Sequence, residues 1–188
     1  MKLVITKALR SRIFVGLMVA GISGPSAYVA SNLTVDSEGF LTNLHLDPVG
    51  KPTTCIGHLV KKGEVPKQNY TEQECIDIFV KDWKEAQTAV RKYTKVPFRS
   101  EWMEGALTDF TLNKGSGNYA SSTLLKDLNA GRYDLTCRRL LDWVYATENG
   151  KKVKLKGLEI RASKQYKYCM GDEPSDYKPM MMELSNGK

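Results

Sequence analysis

The sequence predicts an α+β fold: a small β-hairpin region, a larger helical region after it, and an apolar helical segment ahead of both. Three observations carry this. Residues 38–58 (EGFLTNLHLDPVGKPTTCIGH) are polar and punctuated by an Asp47-Pro-Val-Gly50 turn, the pattern of a short hairpin. From Thr71 onward apolar residues recur at helical spacing. Residues 13–30 (IFVGLMVAGISGPSAYVA) are apolar, and no charge falls between Arg12 and Asp36.

The N-terminal segment accounts for much of the charge. Lys2, Lys7, Arg10 and Arg12 all precede the first acidic residue, Asp36, so the formal net charge of +7 leaves only 24 basic against 21 acidic residues for the remainder. No run of basic and aromatic residues tracks a nucleic-acid backbone, and no nucleic-acid partner is expected. The 18 apolar residues nearly span a bilayer, for which about 20 are typical, and the cationic flank would stay in the cytoplasm. Gly16, Gly21, Ser23, Gly24, Pro25 and Ser26 dilute the segment, and Tyr28 spoils the small-x-small cleavage site that would end at Ala30. Three fates compete: a cleaved signal, a permanent anchor, and a weakly held anchor that can leave the bilayer.

In the hairpin, Glu38 and Asp47 are two carboxylates that could divide acid and base roles if their surroundings differ. A solvated hairpin with idle charges is the plain alternative. Residues 59–70 read as a loop. Thr71 and Glu74 then form a capping box, opening a helix that buries Ile76, Phe79, Val80, Trp83 and Val90 and runs to about Arg91. A helix from Ser100 buries Trp102, Met103, Ala106, Leu107 and Phe110 until the glycines of residues 113–118 interrupt it. Further helices are expected at Ser122–Asn129, closed by Gly131, at Asp134–Tyr145, capped by Asp134, and from Leu158 to Met170, with a polar, basic loop over residues 147–155. Residues 171–188 hold two prolines and mixed charge, a tail that is ordered only if docked. There are no internal repeats. The expected organisation is a membrane segment (1–31), one compact domain (32–170) and the tail (171–188).

Glu38, eight residues, Asp47, five residues, Thr53, then Gly57-His58 is a pattern that resembles the phage-type lysozymes. A second block matches them: Ala106-Leu107, Phe110, Asn113-Lys114-Gly115, Ser122-Thr-Leu-Leu125 and Asn129-Ala-Gly131. A third is Trp143 followed by Gly157-Leu158 and Arg161. The blocks follow one another in order over roughly residues 36–170. Two departures stand out: His45-Leu46 where many relatives place an aromatic or Lys before the aspartate, and Thr54-Cys55 where single-domain relatives commonly carry Ile-Gly.

The resemblance implies a phage lysozyme-like fold, in which the helix after Thr71 bridges a hairpin lobe and a helical lobe. It implies an endo-acting muramidase that cuts the β-1,4 bond between N-acetylmuramic acid and N-acetylglucosamine. Glu38 would be the general acid, kept protonated by a partly apolar cleft. Asp47 would stabilise an oxocarbenium-like transition state, and Thr53 would help hold the attacking water of an inverting reaction. Asn113 and Ser122 would bind substrate. His58 and Asp82 would pair and brace the hairpin, and Arg161 would pair with Glu38, opposing its protonation. The dilute N-terminal segment looks like the signal-arrest-release segments of some endolysins, tethered to the inner membrane by residues 13–30 before release into the periplasm. Because that segment lacks a cysteine, a refolding switch is expected rather than disulfide exchange.

Cys55, Cys75, Cys137 and Cys169 are too widely spaced for a zinc module, and two histidines do not complete one. In an exported protein they favour two disulfides. Of three connectivities, Cys55–Cys75 and Cys137–Cys169 keep each bridge within one lobe; four reduced thiols are the alternative. No metal or cofactor is expected. Peptidoglycan is the expected partner of a monomer, and a non-catalytic wall-binding protein is the other functional class considered.

Overall fold

The computed structural model describes residues 5–47, 50–148 and 150–186. Within them the expected single N-terminal hydrophobic helix does not form. Instead α1 (Lys7–Val19) ends at Ala20, Gly21 turns the chain with φ +85°, and α2 (Gly24–Val29) starts afresh. Pro25, in the first turn of α2, lacks the amide a continuous helix would need. A π-helical turn (Ala30–Thr34) and a short α3 (Val35–Glu38) follow without a break. Among the described residues no helix is long and apolar enough to cross a membrane.

One face of this segment is buried in the protein. Leu9, Ile13, Phe14 and Leu17 form the buried stripe of α1. They share a core with Val29, Leu33, Phe40, Ile56, Phe79 and Trp83. Its cations pair with the rest of the fold: Arg10 with Asp36 and Arg12 with Glu72, each at 2.7 Å. One glycine makes the packing close. A Cβ at Gly105 would stand 3.0 Å from the Ser26 Cα and 3.2 Å from Val29 Cγ2, so the helix carrying Gly105 admits α2 only because that position has no side chain.

The sheet is a three-stranded antiparallel meander of β1 (Leu41–Leu46), β2 (Pro52–Cys55) and β3 (His58–Leu59). Its register shifts between the Leu41↔Cys55 and His45↔Thr53 pairs. Between those pairs β1 bonds instead to the loop at residues 68–70, through Leu44 N–H to Gln68 O and Tyr70 N–H to Thr42 O. Of the Asp47–Gly50 turn, residues 48 and 49 lie outside the described residues.

The bridging helix α4 (Glu72–Tyr93) has the capping box: Thr71 accepts from the Glu74 N–H, and the Glu74 carboxylate accepts from the Thr71 N–H. Its Ile76, Phe79 and Trp83 enter the first core, while Val90 enters a second core with Met103, Leu107, Phe110, Tyr119, Leu124 and Leu140. The second core is built by α5 (Glu101–Lys114), α6 (Ser116–Ser121), α7 (Thr123–Asn129), α8 (Tyr133–Arg139) and α9 (Lys156–Met170). Two expectations are corrected here. The helix expected over Asp134–Tyr145 stops at Arg139 and tightens into a 3-10 turn (Leu140–Asp142), with Arg132 rather than Asp134 at the N-cap. The expected loop at 147–155 is largely a hairpin, β4 (Tyr145–Glu148) paired with β5 (Lys151–Lys154). Tyr145, Val153 and the threonine between favour strand over helix once the Leu140 turn has ended the preceding helix.

Disulfides join Cys55 of β2 to Cys75 of α4 and Cys137 of α8 to Cys169 of α9. The tail folds into α10 (Tyr177–Ser185), whose Met180, Met181 and Leu184 pack on the first core. It closes over the N-terminal segment: the Tyr28 hydroxyl donates to Asp176 at 2.6 Å, and the Tyr177 ring meets those of Tyr28 and Trp102 edge-on.

Candidate active site

Glu38 ends α3, where Gly39 turns the chain with φ +77° into β1. Its side chain is about one quarter exposed, at 26%. Arg161, near the middle of α9 and buried, donates from Nη1 to Glu38 Oε1 at 2.5 Å. The other oxygen faces the β2–β3 turn: a Cβ at Gly57 would stand 2.8 Å from Glu38 Oε2, and Gly57 has φ +66°. Gly57 thus leaves room for the carboxylate on both steric and conformational grounds.

Behind Arg161 stands Asp109 of α5, with no exposed surface. Its Oδ2 accepts from Arg161 Nε at 3.0 Å and Gln165 Nε2 at 2.7 Å. Its Oδ1 accepts from Arg161 Nη2 at 2.8 Å and from the Thr34 hydroxyl at 2.6 Å. Burial works against the Arg161 charge, but Asp109 and then Glu38 outweigh it and hold the guanidinium cationic well above its ordinary range. Lys114, at the end of α5, moves the other way: burial and the nearby Arg161 push its ammonium below the usual lysine value.

Asp109, Gln165 and Thr34 escaped the sequence reading. The signal for Asp109 was present, since a carboxylate interrupts the apolar stripe of Ala106, Leu107 and Phe110, and a charge there must be paired.

Glu38, Arg161 and Asn113 line one cleft of about 450 Å³, together with Asp36 and Lys164. Gly57 lines a second hollow of about 460 Å³, with His58, Leu59, Asp82, Thr111, Leu112 and Gly115. His58 Nδ1 lies 2.7 Å from Asp82 Oδ2, and Nε2 lies 3.2 Å from both Glu64 oxygens. The Asp82 bond, and then Glu64, outweigh burial and raise His58 above its ordinary value of 6.5.

On the hairpin, Asp47 Oδ1 accepts the Lys51 N–H at 2.8 Å, while the strand pair Asp47 N–H to Lys51 O closes the turn at 2.9 Å. The Thr53 hydroxyl donates to Lys51 O at 3.1 Å from a buried position. Ser122 stands apart from these groups. It is buried at the N-cap of α7, donating to Tyr119 O at 2.7 Å and accepting from the Leu125 N–H at 3.1 Å. Its hydroxyl serves the local fold.

Residues 35–165 match the family described as phage lysozyme. The chain is 35% identical over 159 residues to the SAR-endolysin of Bacteriophage PS119, a match that covers 81% of this chain and 92% of the relative. To the SAR-endolysin of Enterobacteria phage P21 it is 33% identical over 159 residues, covering 81% and 93%. Among solved structures it resembles the endolysin from Escherichia coli O157:H7 phage FAHEc1, with a TM-score of 0.71 and 25% identity over 81% of this chain and 94% of that one.

Proposed function

The chain belongs to the phage lysozyme family, and from that premise we propose how its own residues divide the work. It is an endolysin muramidase, a glycoside hydrolase that cuts the β-1,4 bond between N-acetylmuramic acid and N-acetylglucosamine in peptidoglycan. Glu38 is the general acid. The observation that carries this is its place: a quarter-exposed carboxylate on a cleft wall, with one oxygen on Arg161 and the other on the side of Gly57. Asp47 steadies the oxocarbenium-like transition state. Thr53, whose hydroxyl proton is committed to Lys51 O, accepts a hydrogen bond from the attacking water. A water held between two residues of a hairpin favours inversion over a covalent intermediate. Asn113, on the cleft wall, is the group available to a sugar N-acetyl amide.

We infer further that residues 13–30 tether the newly exported enzyme to the inner membrane, and that it becomes active once they leave the bilayer. Two features support a docked, released state. Gly105 admits α2 at backbone distance, and Arg10 and Arg12 find carboxylates on the domain. One chain provides every group named, which supports action as a monomer.

The test is reducing-sugar release from purified peptidoglycan by the full chain held in membranes and by the same chain freed from them, each beside a Glu38→Gln variant. Cutting by the freed wild type alone supports both readings. Equal cutting by tethered and freed protein removes the regulatory one, and full activity of Glu38→Gln removes the acid assignment. The anomer of the first product, read by NMR, decides inversion.

A further inference from the structure

A muramidase acid has a problem that Arg161 makes acute. Glu38, the group that must donate a proton, has a buried guanidinium 2.5 Å from one of its oxygens. The charged groups around Glu38 are Arg161 and Lys164 from α9, Lys114 and Asp109 from α5, and Asp36 on its own segment, with the Gly57 backbone facing it from the sheet. Of the two carboxylates besides Glu38 itself, Asp109 is the one bound directly to Arg161, at two points.

We propose that Asp109 is a positioning residue for glycoside cleavage: its fork on Nε and Nη2 aims Nη1 of Arg161 at Glu38, and its charge balances the guanidinium so that Glu38 can still act as an acid. Asp109 ties α5 to α9 and to the turn at Thr34, and its charge is spent on Arg161. It touches neither hollow, has no exposed surface, and takes four hydrogen bonds, about as many as a carboxylate accepts. The outer two donors, Thr34 and Gln165, stop it from rotating away. Replacing a buried ion pair by apolar residues is commonly neutral or stabilising, so the need for a rigid core does not by itself call for a carboxylate here. A guanidinium gripped on two of its three nitrogens has a single orientation for the third.

The inference rests on Glu38 being the acid, and the experiment separates the two. Wild type, Glu38→Gln, Asp109→Asn, Arg161→Met and the double variant Asp109→Asn/Arg161→Met are compared on purified peptidoglycan across pH 4–9, with thermal unfolding alongside. Asp109→Asn keeps the shape and removes the charge. Its kcat is expected to fall roughly ten- to a hundredfold at neutral pH, the scale of a misplaced group, with KM within about twofold. The alkaline limb of its pH–rate profile should move toward acid by about one pH unit, as befits an unbalanced neighbouring cation. In the Arg161→Met background, adding Asp109→Asn should move neither kcat nor the limb further, because Asp109 acts through Arg161. A folded Asp109→Asn enzyme with wild-type kcat and an unmoved limb, beside a dead Glu38→Gln, overturns the inference alone. An active Glu38→Gln overturns the acid assignment and this inference with it. Should Asp109→Asn fail to fold, Gln165→Met takes its place: it frees one side of Asp109 while keeping the charge, and its kcat is expected to drop about threefold; an unchanged kcat refutes the proposal.

Discussion

Glu38 lies at the base of the β1–β2 hairpin and Asp47 near its tip, yet they are held by different kinds of bond. The Glu38 carboxylate meets an arginine 123 residues away, which is itself gripped by an aspartate 52 residues before it. Asp47 and Thr53 are held by the turn they sit in, through the amide and carbonyl of Lys51. One side of the candidate site therefore depends on the whole tertiary structure, and the other on a few residues of hairpin. The acid needs an environment that differs from water, which only distant elements can build. The groups that manage a water molecule need their lone pairs oriented, and a local turn fixes both Asp47 and Thr53 through one residue, Lys51.

The largest effect should come from breaking the tertiary side. Glu38→Gln removes the proton that must reach the leaving oxygen while retaining a hydrogen-bond acceptor for Arg161, so it should fold normally and lose 10³-fold or more in kcat, about 4 kcal/mol of barrier. Activity within tenfold of wild type would sink the assignment. Next is the bond that moors the hairpin to α4. The Cys55–Cys75 bridge closes a separation of 20 residues, and its removal by a double Ala substitution should cost about 3 kcal/mol of stability. Differential scanning calorimetry would register this as a midpoint lower by roughly 6–12 °C. Because Glu38 is held from α9 rather than from that bridge, the surviving folded enzyme should keep most of its kcat. A collapse of kcat at low temperature would mean that the hairpin anchors the acid too. Third, Thr53→Ala removes only one ligand of a water, and roughly a tenfold loss of kcat is expected, about 1.4 kcal/mol. A loss as deep as that of Glu38→Gln would make the local side equal to the tertiary one.

The same contrast governs what could be read from the chain. The hairpin, the Thr71 capping box, the Ser100 N-cap and the spacing of Glu38, Asp47 and Thr53 are all local, and each was legible because its partners lie within a few residues. The apolar N-terminal segment was legible as apolar, but not as two helices, with α1 packed on α4 and α2 on α5. That outcome depends on Gly105, a glycine in mid-helix whose purpose shows only when Ser26 is found above it. Trp143 and Tyr145 read as a continuation of helix because their aromatic rings suit either state, whereas the strand pairing that claims Tyr145 comes from Lys154. Asp109 is the sharpest case. Its position on an apolar stripe marks it as paired, but nothing in spacing names Arg161, Gln165 and Thr34 as its partners.

The smallest expected effect lies where the two kinds of bond meet. His58 ends the local β2–β3 turn, but its Nδ1 partner, Asp82, belongs to the bridging helix. Asp82, with Glu64, raises His58 above its ordinary 6.5, so the charged imidazolium donates from both nitrogens in the folded state. A group raised on folding contributes stability that is fully present below the unfolded value, about 6.5, and is lost as pH climbs through the higher folded value. Asp82→Asn keeps an acceptor but loses the charge, and Glu64 remains on Nε2, so the cost should be about 1 kcal/mol near pH 5.5. At pH 9, where less of the imidazole is charged than at pH 5.5, the same substitution should cost less. Urea titrations of the two proteins at these pH values give the comparison directly. A difference that grows toward pH 9 would mean that Asp82 holds a neutral ring, and that the hairpin is braced by shape rather than by charge.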